Sequence, residues 1–279
     1  MEEIIKITNR KPPQILYHYT SFDALIKIIE SKSLWATNFH YLNDSQEYKL
    51  AIAITRDSIN RRLKASPVEL RPLLEEMLKV VDPHSTINIC VFSFTENKDL
   101  LSQWRGYCPS AVGCAIGFDT IKLEELCKKN WFNLVQCIYS ESEQIRAVNT
   151  LIDDTINKFH DKLTDFDSSD VWSYFSLWFR ILGPMIKHAS FREEAEWRMV
   201  SSAKDCREPS YKFRAGKSTI IPYYSFSLGE RTNEFPIREV VVGPNPNQEL
   251  ATNPISSLFS KYGITKWDIS TSKIPFREC

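Results

Sequence analysis

The run from Thr86 to Thr95 constrains the fold more than any other stretch, because as a strand it is apolar on both faces. Ile87, Ile89, Val91 and Ser93 alternate to one side, and Cys90, Phe92 and Phe94 to the other, following the period-two rule for strand side chains. A strand with two apolar faces belongs in the centre of a sheet. Further strand signals surround it: Ile15 to Thr20 after the Pro12-Pro13 breaker, Val112 to Phe118, Trp131 to Ser140, Glu196 to Val200, Thr219 to Tyr223 and Ile237 to Val242.

Helical patterns fill the spaces between them. Ser21 can cap a helix whose stripe is Phe22, Leu25, Ile28 and Ile29, ending near Ser31 to Ser33. Asp44 with Glu47, and then Ser66, Pro67 and Glu69, read as two helix starts, so that helices occupy residues 44 to 81. A short helix is expected at Ile121 to Lys129. Longer ones run from Glu141 to about Leu163 and from Ser168 to His188, kinked or ended by Gly183-Pro184. A last helix spans about Gln248 to Lys261. The expectation is α+β with a mixed sheet: a single domain over residues 1 to 279 with helical elaborations at about 44 to 81 and 141 to 188.

Bulk properties exclude several function classes. Thirty-five basic and thirty-five acidic residues give no net charge, so there is no phosphate-neutralising footprint and no stable DNA binding is expected. Seven cysteines contain no Cys-x-x-Cys pair and mostly fall in apolar runs; they read as buried free thiols. The start is no secretory signal and no segment reaches transmembrane length without charges, so a cytoplasmic protein with no membrane partner is expected. Glycine-rich phosphate loops and the Gly-x-Ser-x-Gly elbow are absent. The histidines at 18, 40, 84, 160 and 188 are scattered, so no metal is expected.

Three short segments carry the chemistry that remains: LYHYTS with His18, LSQWRGY with Trp104 and Tyr107, and REEAEWRMV with Glu196. Read as a strand, the last puts Ala195, Trp197 and Met199 on one face and Glu194, Glu196, Arg198 and Val200 on the other. Arg198 would keep Glu196 ionised. An ionised carboxylate facing a cleft suits a reaction that develops positive charge on a sugar, and aromatic rings offer stacking surface. Each residue also has a plain structural alternative: a core histidine, packed aromatics, and an edge strand with outward charges.

In order along the chain, LYHYTS, LND-x-x-E (Leu42 to Glu47), VFSFTENKDLLSQWRGY with GCAIGFD, EAEWRMV, VVVGPN and SKIPFRE resemble the bacterial family catalogued as domain of unknown function 2971. Ser45 stands where that family commonly has proline, Gln103 where it has methionine and Arg105 where it has serine. More distantly, Tyr-His-x-Thr before a helix is similar to toxins of the ADP-ribosyltransferase superfamily, whose split mixed sheet grips NAD. That resemblance implies NAD as substrate without a metal, with His18 holding a ribose hydroxyl. Tyr107, or Ser93 in a serine-type arrangement, would support the nicotinamide side, and Glu196 would stabilise the oxocarbenium ion. Tyr19, Thr20, Asn43, Ser93, Trp104 and Arg198 would complete the NAD-binding set. It further implies a transferase, such as a bacterial toxin or phage-defence effector, acting on a macromolecular acceptor (protein or nucleic acid) and open to a cognate inhibitor. A non-catalytic nucleotide- or partner-binding regulatory module is the alternative, and a metal-dependent hydrolase using Glu194 and Glu196 a third reading.

Overall fold

The computed structural model describes residue 6 and residues 10–42, 45–81, 88–108, 112–163 and 165–275. Among these residues ten strands form one sheet: β1 (Ile15–Thr20), β2 (Ser33–Asn38), β3 (Cys90–Thr95), β4 (Cys114–Asp119), β5 (Phe132–Gln136), β6 (Glu196–Ser201), β7 (Tyr211–Ala215), β8 (Ile220–Ser227), β9 (Ile237–Val242) and β10 (Asp268–Thr271). The helices of at least seven residues are α1 (Phe22–Ser31), α2 (Ser45–Ala65), α3 (Arg71–Val80), α4 (Leu101–Tyr107), α5 (Thr120–Lys129), α6 (Glu141–Phe159), α7 (Ser168–Leu182) and α8 (Gln248–Lys261). The main strand order is β10-β9-β4-β1-β3-β2-β8-β7, with β6 also paired to β3 and β5 to β6. Among the described strands only the β9–β10 pair is parallel, so the sheet is mixed.

The sheet forks at β3. On one edge β3 pairs with β6 over five residues, from Val91↔Val200 to Thr95↔Glu196. Its other edge is shared: β1 touches it only at Tyr17↔Thr95, and β2 only at Thr37↔Val91 and Asn38↔Cys90. β1 and β2 therefore diverge from opposite ends of β3 and leave its middle, Phe92 to Phe94, without a ladder partner on that side.

Each face of the sheet has its own cover. Leu16, Phe92, Phe94, Trp197 and Met199 pack with Leu25, Ile28 and Ile29 of α1, Leu123 of α5, and Ile255 and Phe259 of α8. On the other face, Val91, Val135 and Val200 pack under α2, α3, α6 and α7. Beside that helical layer, Tyr17, Tyr19, Ala115 and Val241 are covered by Trp104 and Cys108 at α4. Among the described residues no helix is long and apolar enough to cross a membrane.

Local signals placed α1 well. Ser21 accepts from the Ala24 N–H at 3.1 Å, a side-chain N-cap, and Lys32 closes the helix in the left-handed region with φ 51°. Gly183 and Pro184 end α7 at Leu182, turning the chain into a 3₁₀ turn. The helix read from Ser66 starts later. Pro67 leads into a 3₁₀ turn at Val68–Leu70 and α3 begins at Arg71, with no side-chain cap from Ser66 or Pro67. Asp44, the cap of the pair Asp44 and Glu47, and the first two residues of the Thr86 run lie outside the described residues. β2, β7 and β10 carry no clear period in the sequence and are set by pairing.

In the segment 192–200 the strand signal from Glu196 to Val200 holds, whereas the strand reading carried back through Glu194 and Ala195 does not. Residues Ala189–Glu194 are a 3₁₀ helix, Ala195 is left-handed with φ 42°, and the strand begins only at Glu196. β6 is no edge strand. It lies between β3 and β5, and all six of its residues are buried, charges included.

Candidate functional site

The fork explains the position of His18. Where β1 peels away from β3, the Ser93 carbonyl loses its ladder partner, and the His18 ring fills the gap: Nδ1 lies 3.0 Å from Ser93 O. A carbonyl only accepts, so Nδ1 carries the proton and Nε2 is left as the acceptor of the ring. Phe92 packs against the imidazole at 4.2 Å between centroids. Burial pulls the His18 pKa down to about 4, against the small upward pull of the Ser93 bond, so the ring is neutral at pH 7.

Tyr107 reaches the same place from α4. A seven-residue helix is too short to persist alone, and β1 pins this one. The Tyr19 hydroxyl accepts the Leu100 N–H at 2.9 Å and donates to Asn97 O at 2.9 Å. Trp104 stands edge-on to Tyr19 at 4.4 Å, and its indole N–H donates to Asp99 Oδ1 at 2.8 Å. Past the helix end, Gly113 lets β4 approach β1: a Cβ there would lie 2.3 Å from Thr20 O and 2.9 Å from Cys108 Sγ. The result hangs Tyr107, 46% exposed, over the fork. Desolvation, followed by the charges of Glu194 and Glu196, pushes its phenol up to about 12; it is a protonated donor at neutral pH.

Glu196 sits one register level from His18, on the strand across β3. Alternation sends the two side chains toward opposite faces, and the fork brings both onto a small space of about 40 Å³, bordered also by Tyr19, Ser93, Gln103 and Tyr107. The carboxylate is held tightly. Oε1 accepts from Arg198 Nε at 2.8 Å; Oε2 accepts from Arg198 Nη2 at 3.0 Å and from Lys187 Nζ at 2.5 Å. Lys187 also donates to Glu194 Oε2 at 2.7 Å, and the Glu196 N–H donates to the Tyr139 hydroxyl at 2.8 Å. Burial alone would raise this carboxyl; the charges and hydrogen bonds of Arg198 and Lys187 outweigh it and pull the pKa down to about 2. Glu194, Glu196, Lys187 and Arg198 thus form one connected ion-pair cluster.

Next to this space, and sharing His18, Tyr19, Ser93 and Tyr107 with it, lies a cavity of about 350 Å³. It occupies the fork itself, with Phe92 contributed from one face of β3 and Val91 and Ser93 from the other. Thr20, Trp35 and Thr37 continue the wall, and Lys27 and Arg214 stand at its exposed rim.

Of the residues singled out from sequence, His18, Tyr19, Thr20, Ser93, Tyr107 and Glu196 border one or both spaces. Tyr19 borders them with its ring while its hydroxyl is committed to the backbone. Two expectations need correction. Trp104 is fully buried and borders neither space; its hydrogen bond to Asp99 and contact with Tyr19 make it the anchor of α4, not a stacking surface. Arg198 is 2% exposed, with Nε and Nη2 on Glu196 and Nη1 on Pro184 O at 2.7 Å; it positions the carboxylate and does not face the cavity. Asn43 lies outside the described residues. Lys187, Trp35 and Arg214 were missed. Lys187 falls in a stretch read as a helix end, and the other two in strands without a visible period. The buried free-thiol reading holds for Cys90, Cys108, Cys114, Cys127 and Cys137, whereas Cys206 is exposed. Among the described residues no cluster of three or more metal-ligating side chains occurs.

Comparison with known proteins adds one finding. No curated protein and no solved structure matches the chain. Residues 103–199 match the model of a family described as protein of unknown function (DUF2971), a stretch holding Tyr107, Lys187, Glu194, Glu196 and Arg198 but not His18, and narrower than the run of motifs that suggested the family. Over that stretch the chain is similar to DUF2971 proteins.

Proposed function

We propose that this protein is an NAD-dependent ADP-ribosyltransferase-like enzyme, a toxin or defence effector that modifies a macromolecule. One observation carries the reading: a forked sheet places a neutral histidine, a protonated tyrosine and an ionised glutamate on adjoining spaces. That set suits cleavage of an N-glycosidic bond to a cationic pyridine. The ribose C1–N bond breaks, its electron pair stays with nicotinamide, which leaves neutral, and a ribosyl oxocarbenium ion forms. The acceptor nucleophile bonds to C1 and gives its proton to solvent. His18 Nε2 accepts from a ribose hydroxyl, Tyr107 supports the nicotinamide ring, and Glu196 faces the developing positive charge.

A second reading, a non-catalytic nucleotide- or partner-binding module, is favoured by the clamp on Glu196. Lys187 and Arg198 neutralise the charge a glycosidic transition state needs. Thermal denaturation with increasing NAD, followed by chromatography for nicotinamide, separates the two. The enzyme reading expects stabilisation and nicotinamide release, with release falling about a hundredfold or more in Glu196→Gln and also reduced in Tyr107→Phe, which retains its ring. Stabilisation without release supports the module. Neither stabilisation nor release removes NAD from the cleft altogether.

A further inference from the structure

The cavity wall carries a charge pattern that the proposed reaction leaves unused. Among the described residues lining it there is no carboxylate, whereas two cations do line it: Lys27 of α1 and Arg214 of β7. They come from the two arms of the fork. α1 follows β1, and β7 joins β2 through β8. Both cations are exposed and loosely held. Lys27 pairs at 2.7 Å with Asp23 on the same helix, an exposed i,i+4 contact of the kind that contributes little and yields readily to a better anion. Arg214 donates to Thr37 Oγ1 across 3.4 Å, the long limit of a hydrogen bond.

Beside them, Trp35 lines the same cavity, with its ring plane fixed by stacking on Tyr223 at 4.7 Å between centroids and 29° between planes. A fixed indole is a platform for a heteroaromatic base. Exposed cations on the rim are matched by phosphate, which guanidinium and ammonium groups bind through charge-assisted hydrogen bonds. We infer that the cleft takes a phosphorylated nucleoside, its base on Trp35 and its phosphates between Lys27 and Arg214. This rests on the reading of the cleft as a nucleotide site and names the recognition elements of that site.

Calorimetric titration of the full chain with ADP-ribose and with adenosine tests it. ADP-ribose binds wild type and weakens as salt rises. It weakens about tenfold or more in both Lys27→Gln and Arg214→Gln and is unchanged in Lys64→Gln, an exposed cation on α2 that does not line the cavity. Trp35→Leu weakens ADP-ribose and adenosine alike. Equal affinity for ADP-ribose in wild type, Lys27→Gln and Arg214→Gln overturns the inference, and so does an absence of ADP-ribose binding to folded wild type. If ADP-ribose binding depends on both cations while NAD releases no nicotinamide, the phosphate site stands and the transferase reading falls.

Discussion

Glu196→Gln tests whether the buried cluster is held together by charge. The substitution keeps shape and removes the negative charge that Lys187 and Arg198, both buried, share in this cluster. Its magnitude follows from the carboxyl itself, whose pKa falls from 4.5 to about 2 in the fold. At roughly 1.4 kcal/mol per tenfold change in proton affinity, that fall is worth about 3 kcal/mol. Breaking one side of a buried ion pair generally costs about 3–5 kcal/mol. The sign with pH follows from the direction of the shift: a depressed folded-state pKa contributes stability that is present above the unfolded value and lost as pH falls through the folded one. Wild type should therefore exceed the variant by about 3 kcal/mol at neutral pH, and the gap should close between about pH 5 and about pH 2. Urea unfolding followed by tryptophan fluorescence at a series of pH values measures this directly. A variant with the wild-type midpoint at pH 7, or a gap that stays constant into acid, would refute the reasoning. A practical consequence bears on the transferase test. Because the geometry predicts a destabilised Glu196→Gln, nicotinamide release must be compared on protein shown to be folded, with Tyr107→Phe alongside.

Two further outcomes are expected. In heteronuclear NMR the His18 ring should show the Nδ1–H tautomer and no titration between about pH 5 and 8; its depressed pKa, about 4, makes its contribution to stability complete above the unfolded value of about 6.5 and lost as pH falls toward 4, and a midpoint near 6.5 would contradict the burial argument. Alkylation of the native protein followed by peptide mapping should modify Cys206 rapidly and spare Cys108 and Cys127, whose thiols burial pushes up to about 12; equal labelling of Cys108 would contradict the packing of α4 against Thr20.

Local patterns were legible where local physics decides. α1 was readable because Ser21 and the Leu25, Ile28 and Ile29 stripe act within one helix turn of each other. α8 was readable from its helical pattern, and β1 and β9 from their alternation. The site was legible in part. His18, Ser93 and Glu196 could be picked out by type and by the pattern of their strands, and Tyr107 by its place in LSQWRGY, yet the burial of Trp104 and Arg198 could not be read, because period two states which face a residue leaves from and not what covers that face. REEAEWRMV is the clearest case: its charged face resembled an outward one, and β5 pairing beyond it with helices packed above buried Glu196 and Arg198 together.

By itself, then, the sequence determined the class of elements, the central place of β3 and the helix end at Gly183-Pro184, since these follow from side-chain period and backbone restriction. Only the tertiary structure decided the fork, because it depends on which ends of β3 are taken by β1 and β2, a long-range pairing that leaves no trace in either strand. From the fork follow the bond of His18 to an orphaned carbonyl, the cavity between the two arms, and the meeting of Lys27, Trp35 and Arg214. The partnership of Glu196 with Lys187 likewise arises from a 3₁₀ segment folding back beside β6, where burial in a low dielectric makes each charge require the other.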